Sequence, residues 1–333
     1  MKVLVTGASG MLGGAVADAL AARGDDVTVL QRRPAGLRHR EVLADVVDAA
    51  DVQAAVAGHD AVVHLAAKVD VQGRYREFAR VNITGTRNVV SACRRAGVAR
   101  LVHVSTPAVA HHGTALVGAP AGPADPRSAR GHYARSKAAA EWVALAADAA
   151  PDGPASVVVR PHLVWGPGDT QLVGRIIARA RAGRLPVVGS GAALIDTTYI
   201  TNAADALVAA LDRCTEARGQ AFVVSNGEPR PVAELLAAIC RAAGVRSPRR
   251  AVPATVAKLA GAIVEAAWTL RPAAGDPPMT RFLAEQLSTA HWFDQRRTAE
   301  LLGWTPRVGL EAGLAALAES RRGRRVVEPT VSG

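Results

Sequence analysis

Residues 1–14, Met-Lys-Val-Leu-Val-Thr-Gly-Ala-Ser-Gly-Met-Leu-Gly-Gly, decide the fold. Val3, Leu4 and Val5 form a β-branched, apolar run long enough for a buried strand. The run breaks into Gly7, Gly10 and Gly13, spaced G-x-x-G-x-x-G, and Met11, Leu12, Val16 and Leu20 then recur at helical intervals. Strand, glycine turn and helix make the front half of a dinucleotide-binding βαβ unit. Gly7 permits the tight turn, Gly10 lets backbone approach a pyrophosphate, and Gly13 lets the helix lie close to the strand. Ser9 and Met11 belong to the same expected phosphate-binding turn, whose helix start offers unpaired N–H groups and a partial positive charge.

Working outward, Asp26 to Leu30 reads as the second strand and ends in Gln31-Arg32-Arg33-Pro34. An acidic residue near this point would take the adenosine ribose hydroxyls of NAD. Arg32 and Arg33 stand there instead and suit a 2′-phosphate; an exposed basic turn before a proline is the plainer reading. Asp45-Val46 falls where the adenine would lie. Asp60 to Ala67 is a strand ending in small residues, so the cofactor can approach the backbone near Ala66, and His64 reads as a packed strand residue. A helical pattern covers Tyr75 to Ala96, with Asn82 placed for a polar bridge in the interior or, alternatively, for solvent. Arg100 to Val104 is a strand running into Ser105-Thr106-Pro107, followed by a Gly-, Pro- and Ala-rich loop from His111 to Gly131. His111-His112-Gly113 lacks a third ligand at suitable spacing, so no metal is expected. Tyr133 to Leu145 is helical, and Ser156 to Arg160 is a strand running into Pro161.

This alternation implies a parallel sheet covered by helices on both faces. Beyond it the order loosens. Leu172 to Ala182 and Asn202 to Arg213 read as helices, Asp196 to Ile200 and Ala221 to Val224 as strands. The remainder is mostly helical, jointed near Pro229 to Pro231, Pro248 to Pro253 and Ala273 to Pro278. Thr255 to Leu270 reads as an amphipathic lid helix whose apolar face suits a hydrophobic substrate, with peripheral membrane contact as the alternative.

The 333 residues, 49% of them hydrophobic, can bury a sizeable core. The net charge of +11 comes almost wholly from dispersed arginines, with no aromatic-interleaved basic stripe, so nucleic acid is not an expected partner. The run Arg321 to Arg325 reads as a solvated tail. Cys93, Cys214 and Cys240 have neither metal-ligand spacing nor a paired framework, and no signal-peptide pattern precedes the first strand; a reducing cytoplasm is expected.

Tyr133 and Lys137 are four apart on one helix face, and Lys137 is one of only four lysines in the chain. Acid–base work by a tyrosine near neutral pH calls for a pKa below its ordinary ~10, which a nearby ammonium and a positive nicotinamide would favour. Ser105 or Thr106, at a strand end, is placed to hydrogen-bond a reacting carbonyl oxygen.

These residues resemble the extended short-chain dehydrogenases/reductases over nearly the whole chain. The resemblance rests on the glycine turn, Asp45, His64 to Ala67 (HLAA), Val81 to Asn88 (VNITGTRN), Val104 to Ala110 (VSTPAVA), Tyr133 to Lys137 (YARSK) and Val158 to Asp169 (VVRPHLVWGPGD). Ser105 to Ala110, Val188 to Ala206 and Pro278 to Asp294 resemble the 3β-hydroxysteroid dehydrogenase branch, nearest the sterol 4-carboxylate 3-dehydrogenases and the 2-alkyl-3-oxoalkanoate reductases. The resemblance implies Tyr133 as acid/base, Lys137 as its tuning and ribose-binding partner, and Thr106 in preference to Ser105 as the polarising hydroxyl. It implies a doubly wound parallel (Rossmann) sheet over 1–162, with 192–224 returning to it. A smaller, mostly helical substrate-binding lobe spans 163–191 and 225–320, followed by a tail at 321–333. The expected activity is hydride transfer between NADP(H), with NAD(H) as the alternative, and a hydrophobic β-oxo or β-hydroxy substrate, a carboxylic acid or steroid. His162, Arg175 and Arg281 are candidate partners for a carboxylate. A homodimer is compatible with this reading. The rival readings are a nucleotide-sugar epimerase or dehydratase and a non-catalytic NADP-binding sensor.

Overall fold

Val3 and Val5 face one side of their strand and Leu4 the other, and all three are fully buried, so both faces of that strand are covered. The computed structural model describes residues 1–70, 73–111, 113–270 and 280–327. The main sheet is built from β1 (Lys2–Thr6), β2 (Asp26–Gln31), β3 (Arg40–Leu43), β4 (Ala61–His64), β5 (Arg100–Val104), β6 (Ala155–Pro161) and β7 (Ala221–Val224). The strand order is β7-β6-β5-β4-β1-β2-β3, and every neighbouring pair is parallel. The order reverses between β4 and β1, and a crevice opens there at the carboxyl ends of the strands.

The helices are α1 (Met11–Ala22), α2 (Ala49–Val56), α3 (Gly85–Ala96), α4 (Gly131–Asp148), α5 (Val173–Arg181), α6 (Ile200–Asp212), α7 (Val232–Ala242), α8 (Ala254–Leu270), α9 (Arg281–Ser288), α10 (Arg296–Leu302) and α11 (Leu310–Val327). Val16 and Leu20 of α1 and Leu207 and Leu211 of α6 cover one sheet face with Val3 and Val5. Val52 and Val56 of α2 and Val89 and Cys93 of α3 cover the other with Leu4 and Val62. Cys93, Cys214 and Cys240 are free and buried.

Several elements differ from the sequence expectation. The edge strand β3 and helix α2 carry too short a pattern to stand out. The helical run from Tyr75 to Ala96 is continuous but contains a π-turn at Ala79–Thr84, around Asn82. In the loop after His111, Leu116–Ala119 pairs with His291–Phe293 in a small sheet that also holds Leu194–Ile195 and Arg230–Pro231. Asp196 to Ile200 is not one strand: Thr198–Tyr199 pairs with Val164–Trp165, and Ile200 starts α6. The return of 192–224 to the main sheet therefore begins at α6. The run from Arg321 continues α11 instead of leaving as a tail. The expected joint at Ala273 to Pro278 lies outside the described residues.

The second lobe gathers Trp165, Ile177, Tyr199, Ile239, Leu310 and Leu314 into its own core. Helix α4 packs on β5 and β6 beside α3, held by a buried ion pair: Arg160 Nε donates to Glu141 Oε2 at 3.0 Å, and both side chains are 1% exposed. Arg160 Nη1 also donates to the carbonyls of Ala121 and Gly122, fixing the loop before α4. Breaking such a pair leaves one charge buried alone. Glu141→Met is expected to cost about 3–5 kcal/mol in urea unfolding, whereas Glu141→Met with Arg160→Met should lose less than either single change. A single-variant loss within about 0.5 kcal/mol, the usual range for surface changes, would show that the pair is not structural.

Candidate active site

The first cavity follows the glycine turn. Gly7 sits at φ +77°, and a Cβ on it would stand 2.8 Å from the Ala66 backbone. A Cβ on Gly13 would collide with the carbonyl oxygen of Gly7. The turn is thus clamped between the end of β4 and the start of α1. A Cβ on Gly10 would meet only the Gly7 oxygen, at 3.4 Å, so this glycine keeps an open side. Helix α1 begins with no side-chain cap, which leaves its first amides for an anion. Gly7, Ser9, Gly10, Gln31, Arg32, Asp45, Val46 and Ala66 line a cavity of about 240 Å³ at the reversal of strand order. Gly13 and Met11 stand behind it: Gly13 is buried and Met11 leans on the second lobe's core. Pro161 is a buried residue at the end of β6, away from this lining.

At the ribose end the sequence reading missed Glu41. It arrives from β3, and its carboxylate accepts hydrogen bonds from Gln31 Nε2 and, at 3.1 Å, from the Ala35 amide. That bond fixes the orientation of the Gln31 amide and leaves its buried Oε1 without a partner in the cavity wall. An unpartnered acceptor fits a ribose hydroxyl. Arg32 lines this cavity and a second one of about 450 Å³ beside it, which Arg80 also lines, whereas Arg33 lines neither. An open glycine cradle, uncapped helix amides, an orphaned acceptor and a cation together fit a dinucleotide.

The second cavity, about 280 Å³, lies beyond the ends of β5 and β6. Thr106 and Tyr133 both line its wall, with the Thr106 hydroxyl near enough to Tyr133 to favour its phenolate. Thr106 also caps the turn Pro107–Ala110, accepting from the Ala108 amide at 3.3 Å. Ser105 is buried and lines neither cavity. Leu163, Leu172, Ile195, Leu283, Leu287 and Phe293 supply most of the remaining surface. Of the three carboxylate candidates, His162 lines this cavity, while Arg175 reaches Gln171 and Arg281 reaches Glu285. His111 and His291 join His162 there, and neither was singled out for this from sequence. His291 arrives by the pairing of His291–Phe293 with Leu116–Ala119; its only local signal is a short aromatic run inside a helical stretch. His112 lies outside the described residues.

Lys137 is buried and donates to the Val104 carbonyl at 2.6 Å, with His103 Nε2 at 3.5 Å. Burial lowers its pKa to about 8. Burial pushes Tyr133 up to about 12, opposed by the neighbouring Thr106 hydroxyl. The expectation of a lowered tyrosine is therefore not met by the chain's own groups, because the ammonium is committed to a backbone carbonyl. Asn82 forms the interior bridge. Its side chain accepts from the Lys68 amide at 2.7 Å and donates to the Lys68 carbonyl at 3.1 Å and to Ser136 Oγ at 2.9 Å. His64 is packed. The Ala66 amide donates to Thr6 Oγ1, which donates to His64 Nδ1 at 2.7 Å; His64 Nε2 donates to Thr86 Oγ1, which donates to the Asn82 carbonyl.

Fold and cavities together define a Rossmann-type oxidoreductase. The chain belongs to the NAD dependent epimerase/dehydratase family, which its residues 3–225 match. It is 41% identical over 332 residues to a 2-alkyl-3-oxoalkanoate reductase of Stenotrophomonas maltophilia, covering 96% of this chain and 99% of that one. It is 30% identical over 335 residues to the decarboxylating sterol-4-alpha-carboxylate 3-dehydrogenase of Homo sapiens, covering 98% and 90%. Among solved structures it is similar to MoeE5 in complex with UDP-glucose and NAD, with a TM-score of 0.74 and 25% identity over 98% of this chain and 100% of that one. The first two of these relatives are a reductase and a dehydrogenase, and the chain is an NAD(P)-dependent oxidoreductase acting on CH-OH or keto groups.

Thr86 spends its one proton on the Asn82 carbonyl, so His64 Nε2 donates to it, and in the neutral ring Nδ1 then accepts from Thr6. The pKa of His64 falls to about 3 through burial and the nearby Lys137 charge. As pH drops below the ordinary value of about 6.5, the unfolded chain takes up this proton first. The stability is present above that value and is lost as pH falls toward about 3. Urea unfolding at pH 7 and pH 5 should show the decline, with a shallower slope in His64→Gln; equal slopes would refute the assignment.

Proposed function

We propose that the protein reduces a hydrophobic 2-alkyl-3-oxo acid with NADP(H), or oxidises the matching 3-hydroxy acid. The observation that carries this reading is the meeting of Tyr133 and Thr106 hydroxyls in the wall of an otherwise mostly apolar cavity. Thr106 hydrogen-bonds the substrate oxygen, and Tyr133 passes its proton to that oxygen as the carbonyl carbon is reduced. The bound nicotinamide supplies the hydride. A tyrosine held protonated by burial is in the donor state that reduction needs. Lys137 keeps the start of α4 against the end of β5 through its bond to Val104, and is assigned the nicotinamide ribose. His162 faces the cavity as the partner for a carboxylate. A sugar nucleotide would need more polar groups than this wall offers, whereas an alkyl chain or a steroid would not.

Initial rates on 3-oxo acids of increasing chain length, beside a 3β-hydroxysteroid and a nucleotide sugar, test the reading. Burial of each methylene is worth about 0.8 kcal/mol, so KM should fall with chain length until the cavity is full. Tyr133→Phe should lower kcat by about two orders of magnitude with cofactor still bound. Rates indifferent to chain length, activity on the sugar alone, or an active Tyr133→Phe would overturn it.

Arg32 is assigned the 2′-phosphate, with Arg80 beside it. Titration should show NADPH binding tighter than NADH by about 1–3 kcal/mol. Arg32→Ala should remove the difference and Arg33→Ala should keep it. Equal affinities in the wild type would sink the assignment.

A further inference from the structure

Helix α8 is apolar on the outside. Its inward positions carry small residues: Ala257 is buried, and a Cβ on Gly261 would stand 2.6 Å from the Thr280 carbonyl carbon. Its large apolar residues point the other way. Val256, Leu259 and Ile263 are 53%, 66% and 61% exposed, and their spacing of three and four puts them on one ridge. Ala260, Ala266 and Ala267 are exposed beside them. The expectation that this helix turns its apolar face to the substrate is not met, since among the described residues none of 254–267 lines the substrate cavity. A helix that only closed its lobe would carry these side chains inward, and a grouped apolar exposure marks an interaction surface.

Beside the start of α8 lies a groove of about 640 Å³ lined by Arg181, Arg184, Arg246, Arg249 and Arg250, with no carboxylate in its lining. None of the five is held in an ion pair among the described residues. The groove reaches Val252, two residues before α8 begins.

We propose that this face docks on an anionic lipid surface. The five arginines meet headgroup phosphates, while Val256, Leu259 and Ile263 enter the boundary of the acyl chains. Charge complementarity selects this occupant: unpaired cations beside an apolar ridge match the two layers of a bilayer leaflet. A second copy of the chain would set these arginines against an equally basic protein, of net charge +11. Docking also places the substrate cavity near the lipid. Leu283 and Leu287 of its wall belong to α9, which packs directly on α8. The inference is independent of which substrate the cavity takes.

The test is co-sedimentation of the full chain with vesicles of phosphatidylcholine alone and of phosphatidylcholine with phosphatidylglycerol. Binding should be confined to the anionic vesicles and fall as salt rises. Arg181→Ala, Arg184→Ala, Arg249→Ala and Arg250→Ala together should weaken it by about tenfold or more. Leu259→Glu with Ile263→Glu should weaken it similarly, with circular dichroism and the unfolding temperature of both variants unchanged. Equal binding to neutral vesicles, no binding to either, or wild-type binding by either variant overturns the proposal. So does a dimer that Leu259→Glu with Ile263→Glu dissociates, which would assign the ridge to a second copy.

Discussion

A lysine ammonium buried against a backbone carbonyl sets the position on which the site depends. Lys137 donates to Val104 at the end of β5, and one residue away Ser136 accepts from Asn82. One turn further on, Glu141 meets Arg160 of β6. Helix α4 is thus tied to its surroundings by three polar contacts in succession, each at a buried residue. An apolar helix face can slide on a sheet at little cost, because the hydrophobic effect is non-directional. Hydrogen bonds of fixed direction at three levels cannot. Tyr133 stands one turn before Lys137, so its place beside Thr106 follows from those bonds.

The two cavities are built on opposite principles. The nucleotide cavity is made of backbone brought close: glycines that admit no Cβ, amides at a helix start, and a glutamine turned by Glu41. The substrate cavity is made of side chains from distant parts of the chain, joined by the small sheet that pairs Leu116–Ala119 with His291–Phe293. Two of its histidines, His162 and His291, are held neutral. His162 Nε2 lies 2.8 Å from His291 Nδ1, whose other nitrogen donates to the Gln286 carbonyl, and burial lowers the pKa of both rings. An anion entering this wall would draw protons onto the rings, so carboxylate binding and proton uptake are linked.

The nucleotide half was legible because its signals are local. A buried strand, a glycine turn and a helix lie within fourteen residues, and the next strands repeat the pattern. The Tyr133/Lys137 spacing was legible for the same reason. Glu41 was not, since only the pairing of β3 with β2 brings it to Gln31. His291 and His111 were hidden likewise, by contacts far apart in sequence. Helix α8 was found, but its orientation was misread: periodicity marks an apolar face without saying whether that face is turned inward. The arginine pair after β2 looked equivalent in sequence, and only the course of the chain sets Arg32 toward the cavities.

The π-turn at Ala79–Thr84 keeps the chain in phase. Such a turn holds one residue more than a regular α-helix would. Each helical residue advances by about 100°, so removing one here would leave α3 packed on the sheet but swing everything before it around the axis. Asn82, inside the turn, bonds both the loop after β4 through Lys68 and the flank of α4 through Ser136. The extra residue therefore works as a phase shifter within one continuous rod.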